Sequence, residues 1–397
     1  MRILFVSDPP NIPGAYGIQG GQLAGWLHAH GHPVLYFGTT YYGAPFEHEG
    51  VPVVGGASRG DLFGDTLIAH YAAQHEADLI VTLKDVHVYS PEALRRMPRP
   101  WVPIVPIDTE PLSIMVKNQL AYATLPVALT RGGQQMLAAE GIRAGYAPHA
   151  IDTGFWCPGD RAAARDRLGL PQGVFVAAFV GANNDRPSRK SLDQILLSWA
   201  IFLEQSGHSD AVLYLHTSLS THYGGVNVKG LIETIQLSPA NLRATNQAAY
   251  DTGSVPPEMV RDIYRAADVL VNPSMGGGFE LCGVEAQACG TPVITCEFTA
   301  MRETVGAGWR IPLGPNTGET VWSSLGAFRM RPTRLAIVEA LKRAAAARDD
   351  QEMRETALAF AQRYSTDTVY DTYWPPIMAE LEALLVRGEL EPERELA

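Results

Sequence analysis

Apolar and polar positions alternate along the chain in blocks. An apolar run at residues 3–6 stops at Ser7-Asp8-Pro9-Pro10, which reads as a buried strand feeding a loop over 9–19. A helix is predicted over 20–30, with Leu23, Trp26 and Leu27 on one face and Gly31 closing it. A strand follows at 34–37, and the cycle repeats with strands near 79–82, 101–106 and 127–129. The pattern breaks in YAPHAIDTGFWCPGD (146–160), whose prolines and glycines mark a connection between domains. It then restarts with a strand at 174–180, a helix at 191–203, a strand at 212–216, a helix at 256–267, a strand at 269–272, a helix at 283–289 and a strand at 292–295. The end is helical, over 332–347, 350–364 and 366–385. Strands alternating with helices predict two parallel sheets, each covered on both faces.

Composition fits this picture. The 397 residues are 46% hydrophobic and 18% charged, a globular profile with room for a full core in each unit. The net charge of −11 argues against a general nucleic-acid or anionic-membrane coat. No apolar run is long enough for a membrane helix, so no stable membrane insertion is expected. MRILFVSDPP does not read as a signal peptide. Cys157, Cys282, Cys289 and Cys296 form no C-x-x-C pair, which disfavours zinc and suits a reducing cytoplasm; the last three read as buried thiols.

Ligands of open α/β sheets bind outside the carboxyl ends of the strands. The unusual loops 9–19 and 181–190 each follow a first strand, so both are expected to face a cleft between the units. The richest segment is NPSMGGGFELCGVEAQACGTPVIT (272–295). There a strand ends in Pro-Ser, glycines follow, and a helix begins near Cys282 with Glu285 in its first turn. Glycines admit a ligand to the backbone, and a helix N-terminus favours anions.

This segment resembles the donor-site signature of the retaining GT-B glycosyltransferases of glycosyltransferase family 4, and EAQACGTPVI (285–294) is a long match. PHAIDTGFWCP (148–158) is similar to the family's interdomain connector, GANNDRPSRKSLDQIL (181–196) to its phosphate-binding turn, and EFTAMRETVGAGW (297–309), with Glu303, to a following loop. Tyr373-Trp374-Pro375 fits the family's final helix, which crosses back to the first domain.

The resemblance implies a GT-B fold of two Rossmann-like doubly wound parallel-sheet domains. It places an acceptor-binding domain at 1–150, joined by the last helix at about 366–386, a donor-binding domain at 151–365 and an acidic tail at 387–397. It implies that Glu285 holds the donor ribose, with Gly278, Phe279 and Leu281 beside it. Lys190 takes the family's phosphate lysine position, supported by Arg189 and Arg186. Asn183 or Asn184 falls near the family's arginine. Gly20 and Gly21 are expected to offer N–H groups to a phosphate. Tyr250 either stacks on the nucleobase or packs, and His216 with Thr217 either contacts the diphosphate or caps a strand. Tyr16 and Gln19 face donor or acceptor. Asp85 and Asp108 either orient an acceptor hydroxyl or cap a helix.

Two positions depart from the family. Gly277 stands where the first of two glutamates is usual, and Glu280 stands in a glycine position. Glu280 either replaces the missing carboxylate or faces solvent. Thr109 falls where many relatives have a histidine, for which His87 or His149 could substitute. If both departures remove sugar contacts, the donor is a pentose or a modified hexose.

The expected activity is transfer of a sugar from a UDP- or GDP-sugar to an acceptor hydroxyl with retention of configuration. No metal and no further cofactor are required. The acceptor is left open among a small molecule, a glycan, a protein and a modified nucleobase. The alternative is a degenerate protein that binds a nucleotide sugar or a partner without transfer. A nicotinamide-dependent oxidoreductase is disfavoured, because no G-x-G-x-x-G follows the first strand.

Overall fold

The computed structural model describes residues 1–56 and 61–388. Of the acidic tail expected at 387–397, residues 389–397 lie outside the described residues. The chain divides into two compact units. Unit 1 comprises Met1–Ala150, Ser324–Ala327 and the chain from Asp367 on; unit 2 comprises Ile151–Ser323 and Phe328–Thr366.

Unit 1 is built on β1 (Ile3–Ser7), β2 (Val34–Gly38), β3 (Phe46–His48), β4 (Val51–Gly55), β5 (Leu79–Leu83), β6 (Trp101–Val105), β7 (Val127–Ala128) and β8 (Gly145–Tyr146). Their spatial order is β3-β4-β2-β1-β5-β6-β7-β8. All neighbours are parallel except β3, which turns back on β4 through Glu49 and Gly50, both at positive φ. The register Ile3↔Val34 and Ile3↔Leu79 puts β1 at the centre. The helices are α1 (Ala15–Ala29), α2 (Asp65–Gln74), α3 (Pro91–Arg95), α4 (Ile114–Leu120) and α5 (Arg131–Ala139).

Unit 2 has β9 (Val176–Val180), β10 (Val212–His216), β11 (Leu242–Ala244), β12 (Val269–Asn272), β13 (Val293–Cys296) and β14 (Gly308–Ile311), in the order β11-β10-β9-β12-β13-β14 and all parallel. A two-stranded antiparallel ribbon, β15 (Gly318–Trp322) with β16 (Phe328–Pro332), is added. The helices are α6 (Arg161–Arg167), α7 (Leu192–Gln205), α8 (Val228–Thr234), α9 (Gln247–Asp251), α10 (Pro257–Ala266), α11 (Leu281–Ala288), α12 (Met301–Thr304), α13 (Arg334–Ala346) and α14 (Gln351–Ala361). The last helix, α15 (Thr366–Arg387), belongs to unit 1 from Asp367 on.

Burial on both faces explains the pure apolar strands. In β9, Ala177 and Phe179 pack into one core while Val176, Ala178 and Val180 pack into the other. In β12, Val269 and Val271 share the first core and Leu270 the second. In sequence order the strands of unit 2 run 3-2-1-4-5-6, the doubly wound arrangement. Its direction reverses between β9 and β12, where the following loops diverge and leave a crevice. Unit 1 has the same reversal between β1 and β5.

One helix differs from its sequence expectation in a way that matters. α1 begins at Ala15, not near Gly20. Gly20 and Gly21 are therefore buried in the helix interior, where backbone N–H groups are spent on the helix ladder. They are there for close packing: a Cβ on Gly20 would lie 2.6 Å from Tyr36 Oη, and one on Gly21 would lie 2.8 Å from His48 Nε2 and Pro10. Among the described residues, no helix is long and apolar enough to cross a membrane.

Candidate functional site

The crevice at the β9–β12 reversal collects the chemistry of unit 2. The loop after β9 carries Arg189 and Lys190; the loop after β12 carries residues 273–280 and runs into α11. A backbone bond ties the loops, Met275 N donating to Arg189 O at 2.7 Å. Lys190 Nζ donates to both carboxylate oxygens of Glu280, at 2.6 and 2.5 Å. Asn272 Nδ2 donates to Glu280 Oε2 at 3.0 Å. Arg189 Nη1 lies 3.7 Å from Glu280 Oε1 and donates to Gly276 O at 2.9 Å, while its Nε lies 3.4 Å from Asp185.

The Glu280 side chain is 3% exposed, so it does not face solvent. Burial on its own would raise this carboxyl, but Lys190 and Arg189, with Asn272 also donating, hold it below the usual range. Glu280 adopts a left-handed backbone, φ 67°, which glycine prefers. Its carboxylate folds back over Gly277: a Cβ at 277 would sit 2.2 Å from Glu280 Oε1. A side chain at 277 and this carboxylate compete for one space. Lys190 and Arg189 are matched in number by Glu280 and Asp185, and the cluster lies beside the N-terminus of α11, whose first N–H groups lack helix partners.

Glu285 sits further along α11 and accepts from Tyr264 Oη at 2.8 Å. Burial pushes its carboxyl up to about 7 against the lowering effect of that bond. Gly278 and Leu281 flank Phe279, which is buried and packs edge-on against Tyr364 at 5.5 Å. His216 ends β10; its Nδ1 is 2.9 Å from Thr245 Oγ1, and burial lowers its pKa to about 4, so the ring is neutral. Tyr250 lies edge-on against His216 at 5.2 Å, so these two pack on each other.

Other expected residues sit elsewhere. Arg186 is exposed and donates through Nε to Gly225 O, away from Glu280. Asn183 is buried and bonds the carbonyls of Ser218, Ser220 and Val226, which makes it a strut between loops. Gln19 in unit 1 uses both ends of its amide on the backbone of Ala150, at 2.7 and 3.0 Å, so it has no amide left to turn to a substrate. Gly20 and Gly21, inside α1, are not phosphate donors. Tyr16 is half-buried, with its ring 5.7 Å from Lys84 Nζ. Asp85 opens the short turn Val86–Val88 without capping it by its side chain, and Asp108 is half-buried in the loop after β6. Thr109 and His149 are buried, and desolvation lowers His149 to about 3. Cys282 is partly exposed, whereas Cys289 and Cys296 are buried as expected.

A feature missed in the sequence lies at the β1–β5 reversal of unit 1. The register Val6↔Thr82 brings Asp8 opposite Lys84, and the two form an ion pair, Lys84 being 8% exposed. Phe63 lies 5.6 Å from the same ammonium. The signal was a lysine at the end of the apolar run LIVTLK, at a strand's carboxyl end.

Two doubly wound parallel units of this kind make the fold GT-B. Residues 175–319 match the sequence family described as "Glycosyl transferases group 1". The chain is 28% identical over 260 residues to the D-inositol 3-phosphate glycosyltransferase of Segniliparus rotundus, covering 66% of this chain and 51% of that protein. It is 35% identical over 160 residues to D-inositol 3-phosphate glycosyltransferase 1 of Catenulispora acidiphila, covering 40% of this chain and 36% of that one. The chain thus spans about half or less of the length of these relatives. Among solved structures, the sucrose-phosphate synthase of Thermosynechococcus elongatus superposes with a TM-score of 0.74 at 19% identity, over 98% of this chain and 100% of that one. Anabaena HepE in complex with UDP superposes with a TM-score of 0.65 at 18% identity, over 97% and 100%. The fold is GT-B, and the segment that matches the glycosyl transferases group 1 model is unit 2 from β9 to β15.

Proposed function

We propose that the protein transfers a sugar from a nucleotide-diphosphate sugar to an acceptor hydroxyl, with retention, in the manner of glycosyltransferase family 4. The observation that carries this is the Arg189–Lys190–Glu280 cluster in the crevice between β9 and β12, facing the N-terminus of α11. A diphosphate leaving group develops negative charge as the sugar–oxygen bond breaks. Lys190 and Arg189, with the α11 amides, are placed to stabilise that charge, so no metal is needed for it. The departing phosphate oxygen takes the proton of the acceptor hydroxyl on the same face of the sugar. The new glycosidic bond forms on that face, and the protein contributes position and field.

Glu280 holds the Lys190 side chain in place through both carboxylate oxygens. The Glu280 carboxylate stands in the space a side chain at Gly277 would take, and the donor sugar is read as a hexose or a pentose. Glu285 is assigned to the ribose, with UDP the preferred nucleotide since HepE binds UDP. The inositol 3-phosphate for which the relatives are named carries a phosphate that a cation would hold; in unit 1 Lys84 is paired with Asp8, and Arg131 opens α5 over the Tyr146 ring. Four free thiols fit a reducing cytoplasm.

The test is Lys190→Ala, measured by donor turnover, UDP binding and thermal unfolding. Turnover is expected to fall by about 10²–10³-fold. Near-normal transfer by a folded variant would sink the assignment.

A further inference from the structure

β12 is apolar through Val269, Leu270 and Val271 and then ends on an amide, Asn272, in a residue 1% exposed. A buried amide is costly unless its hydrogen bonds are made. Those of Asn272 are made at the carboxyl end of the strand. Its Nδ2 donates to Glu280 Oε2 at 3.0 Å and lies 3.3 Å from Cys282 Sγ, and its Oδ1 accepts from Ser274 Oγ at 2.8 Å. The chemistry allows one orientation. A carboxylate only accepts, so the NH2 end faces Glu280, and the Ser274 hydroxyl donates to the oxygen that is left. Ser274 is fully buried, so water does not compete for that bond.

The groups that hold Glu280 differ in what holds them. Lys190 and Arg189 belong to the loop after β9. Asn272 belongs to the sheet: β12 lies between β9 and β13, and Asn272 is in register with Thr295 of β13. Glu280 itself stands on a left-handed backbone after a run of glycines, so its own chain does not place it firmly. A donor fixed on an inner strand does. Lys190 spends two of its three N–H groups on Glu280, at 2.6 and 2.5 Å, and keeps one for a phosphate oxygen. The direction of that N–H follows from the plane of the carboxylate, and the plane follows from the bond that Asn272 makes to Oε2.

We propose that Asn272, locked by Ser274, is a positioning residue of the donor site: it sets the Glu280 carboxylate from the sheet and, through it, the direction in which Lys190 meets the donor diphosphate. Asn272 itself touches no substrate. The role given to Lys190 rests on the transferase reading; the relay from Ser274 to Lys190 rests on the bonds.

The experiment uses the full chain and three readouts: UDP affinity by calorimetry, UDP release from UDP-glucose, and thermal unfolding. Asn272→Leu keeps the volume and removes the donor, and UDP release is expected to fall about tenfold. Ser274→Ala leaves Asn272 in place but unlocked and should cost about threefold. Lys190 meets the diphosphate of free UDP as well, so UDP affinity should follow the same order. Neither change should cost much more in a Glu280→Gly chain, where the relay is already cut. Asn272→Asp supplies a readout that packing alone does not move. Two carboxyls about 3 Å apart do not both ionise. At about pH 5 their shared proton lets the new carboxyl donate to Glu280, and release should be near native; by about pH 8 that proton is lost, the like charges part, and release should fall about tenfold relative to the native chain. The other groups facing Glu280 are Lys190, Arg189 and the thiols of Cys282 and Cys296, which burial pushes up. Glu285, raised to about 7 on the same helix, is common to every variant, so each profile is read as a ratio to the native one. Unchanged release by a folded Asn272→Leu chain, a loss as large in the Glu280→Gly chain as in the native one, or an Asn272→Asp profile parallel to the native one overturns the proposal. If the native chain neither binds UDP nor releases it, the transferase reading fails instead. The relay is then read from thermal unfolding, where the loss caused by Asn272→Leu should likewise shrink in the Glu280→Gly chain.

Discussion

The arrangement of Glu280 over Gly277 makes a specific prediction about two positions that a sequence comparison would treat separately. In the native chain the carboxylate at 280 occupies the room a side chain at 277 would need, with 2.2 Å between Glu280 Oε1 and a Cβ at 277. Glu280→Gly removes the partner of Lys190 and relaxes the positive φ. Breaking a buried pair from one side costs about 3–5 kcal/mol, and relief of the left-handed backbone returns about 1 kcal/mol. The net loss should be about 2–4 kcal/mol in stability. Lys190, no longer held, should lose donor turnover by about 10²-fold, equivalent to about 3 kcal/mol in the barrier. Gly277→Glu alone should be worse for stability, because two carboxylates and two side chains then compete for one buried space. The double variant Gly277→Glu/Glu280→Gly delivers one carboxylate to the same lysine without the clash. It should recover most of the stability and turnover, so the two changes are strongly non-additive. Thermal unfolding and donor turnover on the four proteins decide it. If Gly277→Glu is tolerated beside native Glu280, or if the double variant is no better than Glu280→Gly, the reasoning is wrong.

Glu285 gives a pH signature. Its carboxyl is raised to about 7 in the folded chain from an ordinary value near 4.5, so the folded state binds the extra proton and stability is greatest below 4.5. That contribution is lost as pH rises towards 7, by up to about 3 kcal/mol. Glu285→Gln should flatten this part of a stability–pH curve from chemical denaturation; an unchanged slope would refute the shift. Gly20→Ala places a methyl 2.6 Å from Tyr36 Oη. It should cost about 1–3 kcal/mol of stability through overpacking, with UDP affinity unchanged; a selective loss of UDP affinity at full stability would restore the phosphate role expected from the sequence.

The alternation of strands and helices was legible because both sheets bury both faces. β10 and β12 fall at 212–216 and 269–272, where the apolar runs put them. The ribbon β15–β16 and the three-residue edge strand β3 were not, because they are half-exposed and carry little apolar signal. The start of α1 was misplaced for a related reason. Gly17 reads as loop and Gly20 and Gly21 as the helix opening, while close packing of the three against Pro9, Tyr36 and His48 places them inside a helix that starts at Ala15. The candidate site divides in the same way. Lys190 and Arg189 could be found by spacing after a buried strand. Whether Glu280 pointed inward depended on a positive φ and on an absent side chain three residues earlier, neither of which has a period. Asp8 and Lys84 are 76 residues apart and meet only through the β1–β5 register, so their pairing required the sheet order. Local pattern thus located the strands that carry the chemistry. The partners across the β9–β12 and β1–β5 reversals came from topology, and those partners decide which charges in this acidic chain remain to meet a ligand.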